Sequence, residues 1–366
     1  MEPVPPSQRI LIFGATGKIG AYITSAIATA SPPFARVAIY TSASTVTGKA
    51  AQIEALKARG VEVIVGELDD DDKIKQAYMG FDTIVSCLGR AILSHQTHLI
   101  TLAAIPSNPI LRFFPSEYGT DIFHPVTPDP HREPPHKFKL EARELLERLA
   151  AGSGPGSGEK KLSHTYIVTG PYAEFYVSTT GQRGVDAGEN TWDRAGGFDV
   201  MRRRATLLFD DSNVTKASER GSDPIALTTM PDTALFVVSA LRRPHVSHNA
   251  ALRCHSFVTT PAAILAEFER QTSGRGTWGV RYLGLGELRE REREAYERGD
   301  AEKGLFSVRR IWTMGGSVYD GWREGRGWDE GVLMNEEGEW ERGTLEGVVR
   351  GEIERQMNEA EAEAEK

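Results

Sequence analysis

Short apolar runs alternate with amphipathic stretches along the first 170 residues, joined by connections of two to five residues. Residues 10–13, Ile-Leu-Ile-Phe, are apolar throughout and too short for a helix, so they predict a strand buried on both faces. Residues 36–40, 61–65, 81–86, 110–114 and 165–169 predict five more strands. Helical spacing falls between them at 21–27, 52–58, 73–78, 95–104 and 138–151. Strand and helix in strict alternation predict a parallel, doubly wound α/β sheet.

The joint between the first strand and first helix reads Gly14-Ala15-Thr16-Gly17-Lys18-Ile19-Gly20. Glycine there lets the chain turn sharply off the strand, brings an anion close to the main chain, and packs the helix tightly on the sheet. The helix start then offers free N–H groups, so Gly14 through Gly20 predict the pyrophosphate site of a dinucleotide cofactor. An NAD enzyme places an acidic residue after the second strand, to accept from the ribose hydroxyl. Residues 36–53 contain none, and Thr41, Ser42 and Lys49 supply donors for a 2′-phosphate. This favours NADP (as NADPH), with NAD possible. The fourth strand leaves at Cys87-Leu88-Gly89, where the carboxyl edge of the sheet meets a cofactor, so Leu88 and Gly89 join the set.

The remaining composition narrows the picture. A net charge of −8 offers no nucleic-acid surface, and the triplet Arg202-Arg203-Arg204 reads as a solvated strand edge or loop. The two cysteines, Cys87 and Cys254, make neither a disulfide framework nor a zinc spacing. The acidic run at 69–72 reads as a helix cap, and His124, His131 and His136 sit in a proline-rich loop without ligand spacing, so no metal is expected. A first strand at residue 10 leaves no room for a removable leader, and no apolar stretch reaches membrane-span length; a cytoplasmic protein without membrane or nucleic-acid partners is expected.

The fifth strand runs into Phe113-Phe114-Pro115-Ser116-Glu117-Tyr118-Gly119-Thr120-Asp121. With Gly14-Ala15-Thr16-Gly17-Lys18-Ile19-Gly20 upstream, this string resembles the NmrA-like and isoflavone reductase-like family of atypical short-chain dehydrogenases, relatives of phenylcoumaran benzylic ether and pinoresinol-lariciresinol reductases. By itself the pair Lys139 and Arg143, four apart on one helix face, is ordinary solvated charge. The resemblance implies that Lys139 is the general acid/base and that Arg143 reaches cofactor or substrate. No tyrosine has a lysine four residues later, so the Tyr-x-x-x-Lys pair of other short-chain dehydrogenases is missing and another proton donor is needed. The resemblance also implies Ser116, Pro171 and Tyr172 at the cofactor, against a plain Gly-Pro turn for the last two. It sets Tyr118, Gly119 and Phe175 at the substrate wall. Family reductases place arginine after the second strand, where this chain has Thr41 and Ser42.

The expected fold is a Rossmann-type doubly wound parallel sheet with a smaller, interleaved C-terminal α/β lobe. Residues 1–170 form the nucleotide-binding unit, 171–357 the substrate lobe with segments returning to the sheet, and 358–366 a frayed acidic tail. Within the lobe, helices are expected at 261–273, 286–304 and 345–357, and Trp312, Trp322 and Trp328 either line an aromatic site or pack a core. Residues 152–161 read as a flexible linker. The implied function is NADPH-dependent reduction of a small aromatic or conjugated secondary metabolite. The alternatives are a non-catalytic NAD(P)-sensing regulator that docks on a protein, and an isomerase or lyase with a structural cofactor.

Overall fold

The computed structural model describes residues 5–126, 136–152, 158–178, 197–212, 216–273, 276–299, 303–319 and 340–364. The first half runs β1 (Arg9–Phe13), α1 (Lys18–Ala28), β2 (Arg36–Thr41), α2 (Ala43–Gly48), α3 (Ala50–Lys57), β3 (Glu62–Val65), α4 (Asp71–Tyr78), β4 (Thr83–Ser86), α5 (His95–Ala103), β5 (Arg112–Phe114), α6 (His136–Ala151) and β6 (Ser163–Val168). The second half adds α7 (Ala173–Val177), β7 (Gly197–Asp199), β8 (Arg204–Phe209), β9 (Ile225–Leu227), α8 (Met230–Arg242), α9 (Pro244–Ser247), β10 (Ala250–Arg253) and β11 (Phe257–Thr259). It ends with α10 (Pro261–Gln271), β12 (Gly279–Gly284), α11 (Leu285–Glu297), α12 (Lys303–Thr313) and α13 (Leu345–Ala364).

Seven strands form one parallel sheet in the order β10-β6-β5-β4-β1-β2-β3. Order reverses at β1, between β4 and β2, and a crevice opens there at the carboxyl ends. Alternation along β1 supplies both core layers. Leu11 and Phe13 pack with Tyr78, Leu99 and Leu146 on one face, and Ile10 and Ile12 with Ile23, Phe236 and Val237 on the other. Burial on both sides is why β1 is continuously apolar.

The lobe returns twice to this sheet: α8 packs on α1, and β10 adds the seventh strand beside β6. The rest forms a second core around Tyr176, Phe198, Phe268 and Trp312, with a three-stranded sheet β12-β8-β7 and the pair β11-β9. The doubly wound sheet and the interleaved lobe match the expected fold class.

Local departures have local reasons. Residues 41–49, where no element is expected, contain α2, whose N-cap Ser42 accepts from the Thr45 N–H. The tail does not fray at 358. Helix α13 continues to Ala364, supported by Arg355 pairing with Glu352 and Glu359 on its own face. Helix α11 ends at Glu297, short of the expected 304. Asp70 caps α4 as expected, accepting from the Lys73 N–H. Arg202 pairs with Asp199, and Arg204 opens β8. Trp312 is a core residue, while His131, Trp322, Trp328 and residues 153–157 of the expected linker lie outside the described residues.

Arg112 ties the two halves together from inside the sheet. It is 1% exposed, and its guanidinium donates to Ser7 Oγ, Leu241 O, Thr165 Oγ1, Ala240 O and Ser247 Oγ at 2.8–3.4 Å. Burial holds it down to about 10, still cationic at neutral pH. Arg112→Met keeps the volume of the stem but leaves five buried oxygens without their donor, and should cost about 3 kcal/mol in denaturant unfolding. A loss below about 1 kcal/mol would show that water or neighbouring groups replace the clamp.

Candidate functional site

At the order reversal, Gly14 sits at φ +71°, and a Cβ there would lie 2.5 Å from the Cys87 carbonyl oxygen on neighbouring β4. A Cβ on Gly20 would lie 2.1 Å from the Gly14 oxygen. Both glycines are therefore fixed by backbone, which cannot step aside as a flexible side chain can. Gly17 closes the turn through its N–H to the Gly14 carbonyl at 3.0 Å and stands as the N-cap of α1, without a side-chain cap. The first N–H groups of α1 thus lack intrahelical acceptors, and no acidic residue occupies its first turn. Ala15 and Ile19 pack into the core and hold the turn from beneath.

A cavity of about 470 Å³ opens beside this turn, lined by Gly14, Thr16, Gly17, Thr41, Ser42, Lys49, Leu88 and Gly89 among others. Eight of the residues expected at the cofactor therefore share one wall. The Lys49 ammonium bridges back to the Thr16 carbonyl at 2.6 Å, and Ser42 Oγ lies within 3.0 Å of the Ser44 and Thr45 hydroxyls. Tyr40, Glu67 and Asp69, which sequence reasoning missed, also face the cavity. Tyr40 donates to the Glu67 carbonyl, and burial followed by the nearby carboxylates pushes its hydroxyl up to about 12. Their common position at the ends of β2 and β3 was the available signal.

Beyond Gly89 the sheet edge carries the second part of the site. Ser116 Oγ donates to the Leu88 carbonyl at 3.0 Å, and the Ser116 N–H donates to Gln96 Oε1. Tyr172 donates to the Tyr118 carbonyl at 2.6 Å, Gly170 to the Gly119 carbonyl at 2.9 Å, and Thr228 to the Pro171 carbonyl at 3.1 Å. These bonds place the exits of β5 and β6 side by side. Lys18 lies with Nζ 5.0 Å from the centre of the Phe175 ring, joining the glycine turn to α7; half-burial lowers its pKa.

Lys139 and Arg143 are not solvated helix charge. They are 8% and 2% exposed, on the inner face of α6. Lys139 Nζ donates to the Glu117 carbonyl at 3.3 Å and lies 3.7 Å from Glu117 Oε2. Arg143 donates to the same Oε2 at 2.7 Å, lies 3.6 Å from Asp121 Oδ1, and is stacked on Tyr166 and Phe123. Asp121 also accepts from Arg253 at 3.0 Å and Tyr319 at 2.6 Å. Burial raises the Asp121 carboxyl, but Arg143, Tyr319, the Phe123 N–H and Arg253 outweigh it and hold its pKa low.

Burial lowers the pKa of Lys139; Glu117 opposes this, while Arg143 and Arg90 add to it. The same burial, with Lys139 and Arg90, brings His136 down to about 3, so it is neutral at pH 7. Glu117 and Asp121 stand inside the quoted 113–121 string, yet nothing local marks them as partners of α6. Arg253 and Tyr319 reach the cluster from positions more than a hundred residues later. Among the described residues there is no group of three or more His, Cys, Asp or Glu that could hold a metal, and no helix long and apolar enough to cross a membrane.

Comparison with known proteins bears on the fold and the family. Phenylcoumaran benzylic ether reductase 1 of Arabidopsis thaliana is 30% identical over 177 residues, 48% of this chain and 53% of that protein. Eugenol synthase 2 of Clarkia breweri is 30% identical over 178 residues, 48% of this chain and 53% of that protein. The chain spans about half the length of the curated relatives it matches. An isoflavone reductase crystal structure superposes at a TM-score of 0.67, with 19% identity, covering 94% of this chain and 99% of that one. The leucoanthocyanidin reductase–NADPH complex of Vitis vinifera superposes at 0.66, with 16% identity over the same 94%, and 99% of that chain is covered. Both carry the same fold. A sequence model described as the NmrA-like family matches residues 6–277, which takes in the glycine turn, the 113–121 string and α6, and the chain belongs to that family.

Proposed function

We propose that this protein is an NADPH-dependent reductase of a small aromatic or conjugated metabolite, with Lys139 as general acid/base. The observation that carries the reading is the burial of Lys139 against the loop after β5, whose Ser116 bonds to Leu88 on the wall of the cavity. A regulator that only senses a dinucleotide needs no desolvated lysine there, and lysine is rarely buried without a task. Relatives named as phenylcoumaran benzylic ether reductases and eugenol synthases, and a neighbour solved with NADPH, support the substrate class and the cofactor.

In this reading residues 1–170 hold the cofactor and 171–357 form the substrate lobe. The residues present fit NADPH: the turn from Gly14 to Gly20 leaves main-chain room for a pyrophosphate, and Thr41, Ser42 and Lys49 offer donors for the 2′-phosphate. Leu88, Gly89, Ser116, Pro171 and Tyr172 continue this wall, with Tyr118, Gly119 and Phe175 facing the substrate. When bound, the cofactor supplies hydride. Lys139 gives its proton to the substrate oxygen on which negative charge develops, and its burial keeps bulk water from the transfer.

Four results are expected. Gly20→Ala should abolish NADPH binding in calorimetry, because its Cβ would strike the Gly14 carbonyl; retained micromolar affinity would refute the cradle. Lys49→Ala should weaken NADPH about tenfold and leave NADH nearly unchanged, whereas equal weakening would place Lys49 elsewhere than at a 2′-phosphate. Lys139→Ala should still bind NADPH while turnover of an aromatic enone, benzylic ether or propenylphenol ester falls by about 10²–10⁴. Wild-type reduction needs the ammonium, so turnover should decline on the alkaline side as pH rises through the lowered Lys139 value. Turnover unaffected in Lys139→Ala would remove the lysine from the chemistry.

A further inference from the structure

We propose that Arg143 is a positioning residue for Lys139. Its guanidinium occupies the Glu117 carboxylate, which leaves the Lys139 ammonium resting on a carbonyl oxygen and free to release its proton. The inference rests on Lys139 as the proton donor and departs from the resemblance, which implied an arginine reaching cofactor or substrate.

Three observations carry it. Glu117 Oε2 stands 2.7 Å from Arg143 Nη2 but 3.7 Å from Lys139 Nζ, and the closer partner of the lysine is the Glu117 carbonyl at 3.3 Å. Arg143 is held between the Tyr166 and Phe123 rings, with centroid distances of 4.6 and 4.9 Å, and is 2% exposed, so it cannot swing into a site. Finally, the two carboxylates of the cluster, Glu117 and Asp121, are balanced by Arg143 and Arg253. Arginine does not deprotonate in proteins. Among the described cations around the cluster, Arg143, Arg253 and Arg90 are fixed in charge, and Lys139 is the member whose protonation can change.

The groups facing Lys139 act consistently with this. Arg143 and neutral His136 come from its own helix, Arg90 from the short 3₁₀ turn after β4, and Glu117 and Asp121 from the loop after β5. Without Arg143, the Glu117 carboxylate would be left to Lys139 alone, a direct buried ion pair that resists proton loss. In turnover the Lys139 N–H bond breaks as an O–H bond forms on the substrate, and solvent later returns the proton to the amine.

The test is carbon NMR of protein labelled at the lysine ε position, with the Lys139 signal assigned by its absence in Lys139→Ala. In wild type that signal should titrate below the ordinary lysine value of about 10.4. Arg143→Gln should move it up by about one pH unit or more, Glu117→Gln should move it down, and Arg143→Lys should restore most of the wild-type value. The alkaline limb of kcat should follow the same order while KM for NADPH stays within about twofold. A wild-type signal at or above the ordinary value would overturn the proposal, and this measurement does not depend on any variant folding. So would a folded Arg143→Gln protein whose Lys139 titrates where wild type does. If the signal moves as expected but kcat ignores it, the positioning of Lys139 stands and the reading of Lys139 as proton donor falls.

Discussion

The working region depends on a close approach between two backbones: the Gly14 turn at the end of β1 and the Cys87 carbonyl just past the end of β4. Parallel strands sit at fixed spacing, and the chain leaving β1 must cross the top of β4's neighbour position before α1 can fold back on the sheet. Only a residue without Cβ, at positive φ, passes there. Once it does, α1 starts with its free N–H groups over the crevice, β2 ends at Thr41 beside it, and the cavity between them follows. The rest of the nucleotide-binding half packs around that crossing, with β1 feeding both core layers.

The lobe depends on the same sheet. Chain that leaves after β6 comes back as α8 against α1 and as β10 against β6, and Arg112 binds these returns to the strands from within. A buried cation hydrogen-bonded only to neutral oxygens is costly to desolvate, yet its five contacts join the N-terminal segment, β6, α8 and α9 around one side chain. Asp232 does comparable work at the start of α8, accepting from Trp340 Nε1, the Gly343 N–H and Ser256 Oγ, so the segment before α13 is fastened to the sheet side.

The buried charges around Lys139 have a different logic. Glu117 and Asp121 are deeply buried, and each is paired with arginine rather than with solvent. Arginine suits the task because its planar fork can serve two carboxylates while stacking on rings, and its charge is permanent. A lysine in the same company is the member whose protonation can change. Two cations four residues apart on one helix thus divide between a fixed role and a variable one.

What the sequence determined by itself was whatever depends on neighbours along the chain. Apolar runs of four or five residues, short connections and the spacing of Gly14, Gly17 and Gly20 specify a parallel sheet and an anion-ready helix start, because these follow from local sterics and periodicity. The 113–121 string and α6 were legible as a family pattern, which marked Lys139 where helix periodicity alone would have left it in solvent. The short strands β7, β10 and β11, helix α2 and the helical tail were not legible. Their residues form regular structure because of partners elsewhere in the chain, or of an Ser42 cap set inside a polar run. Likewise only the tertiary structure decided that Arg143 faces Glu117 and Asp121, and that Arg253 and Tyr319 complete the cluster. Those partners lie on the loop after β5, on β10 and in the lobe, and charge pairing across such distances leaves no periodic trace in the sequence. Burial of Lys139, which sets its proton affinity, is a property of everything packed around α6 and of no segment alone.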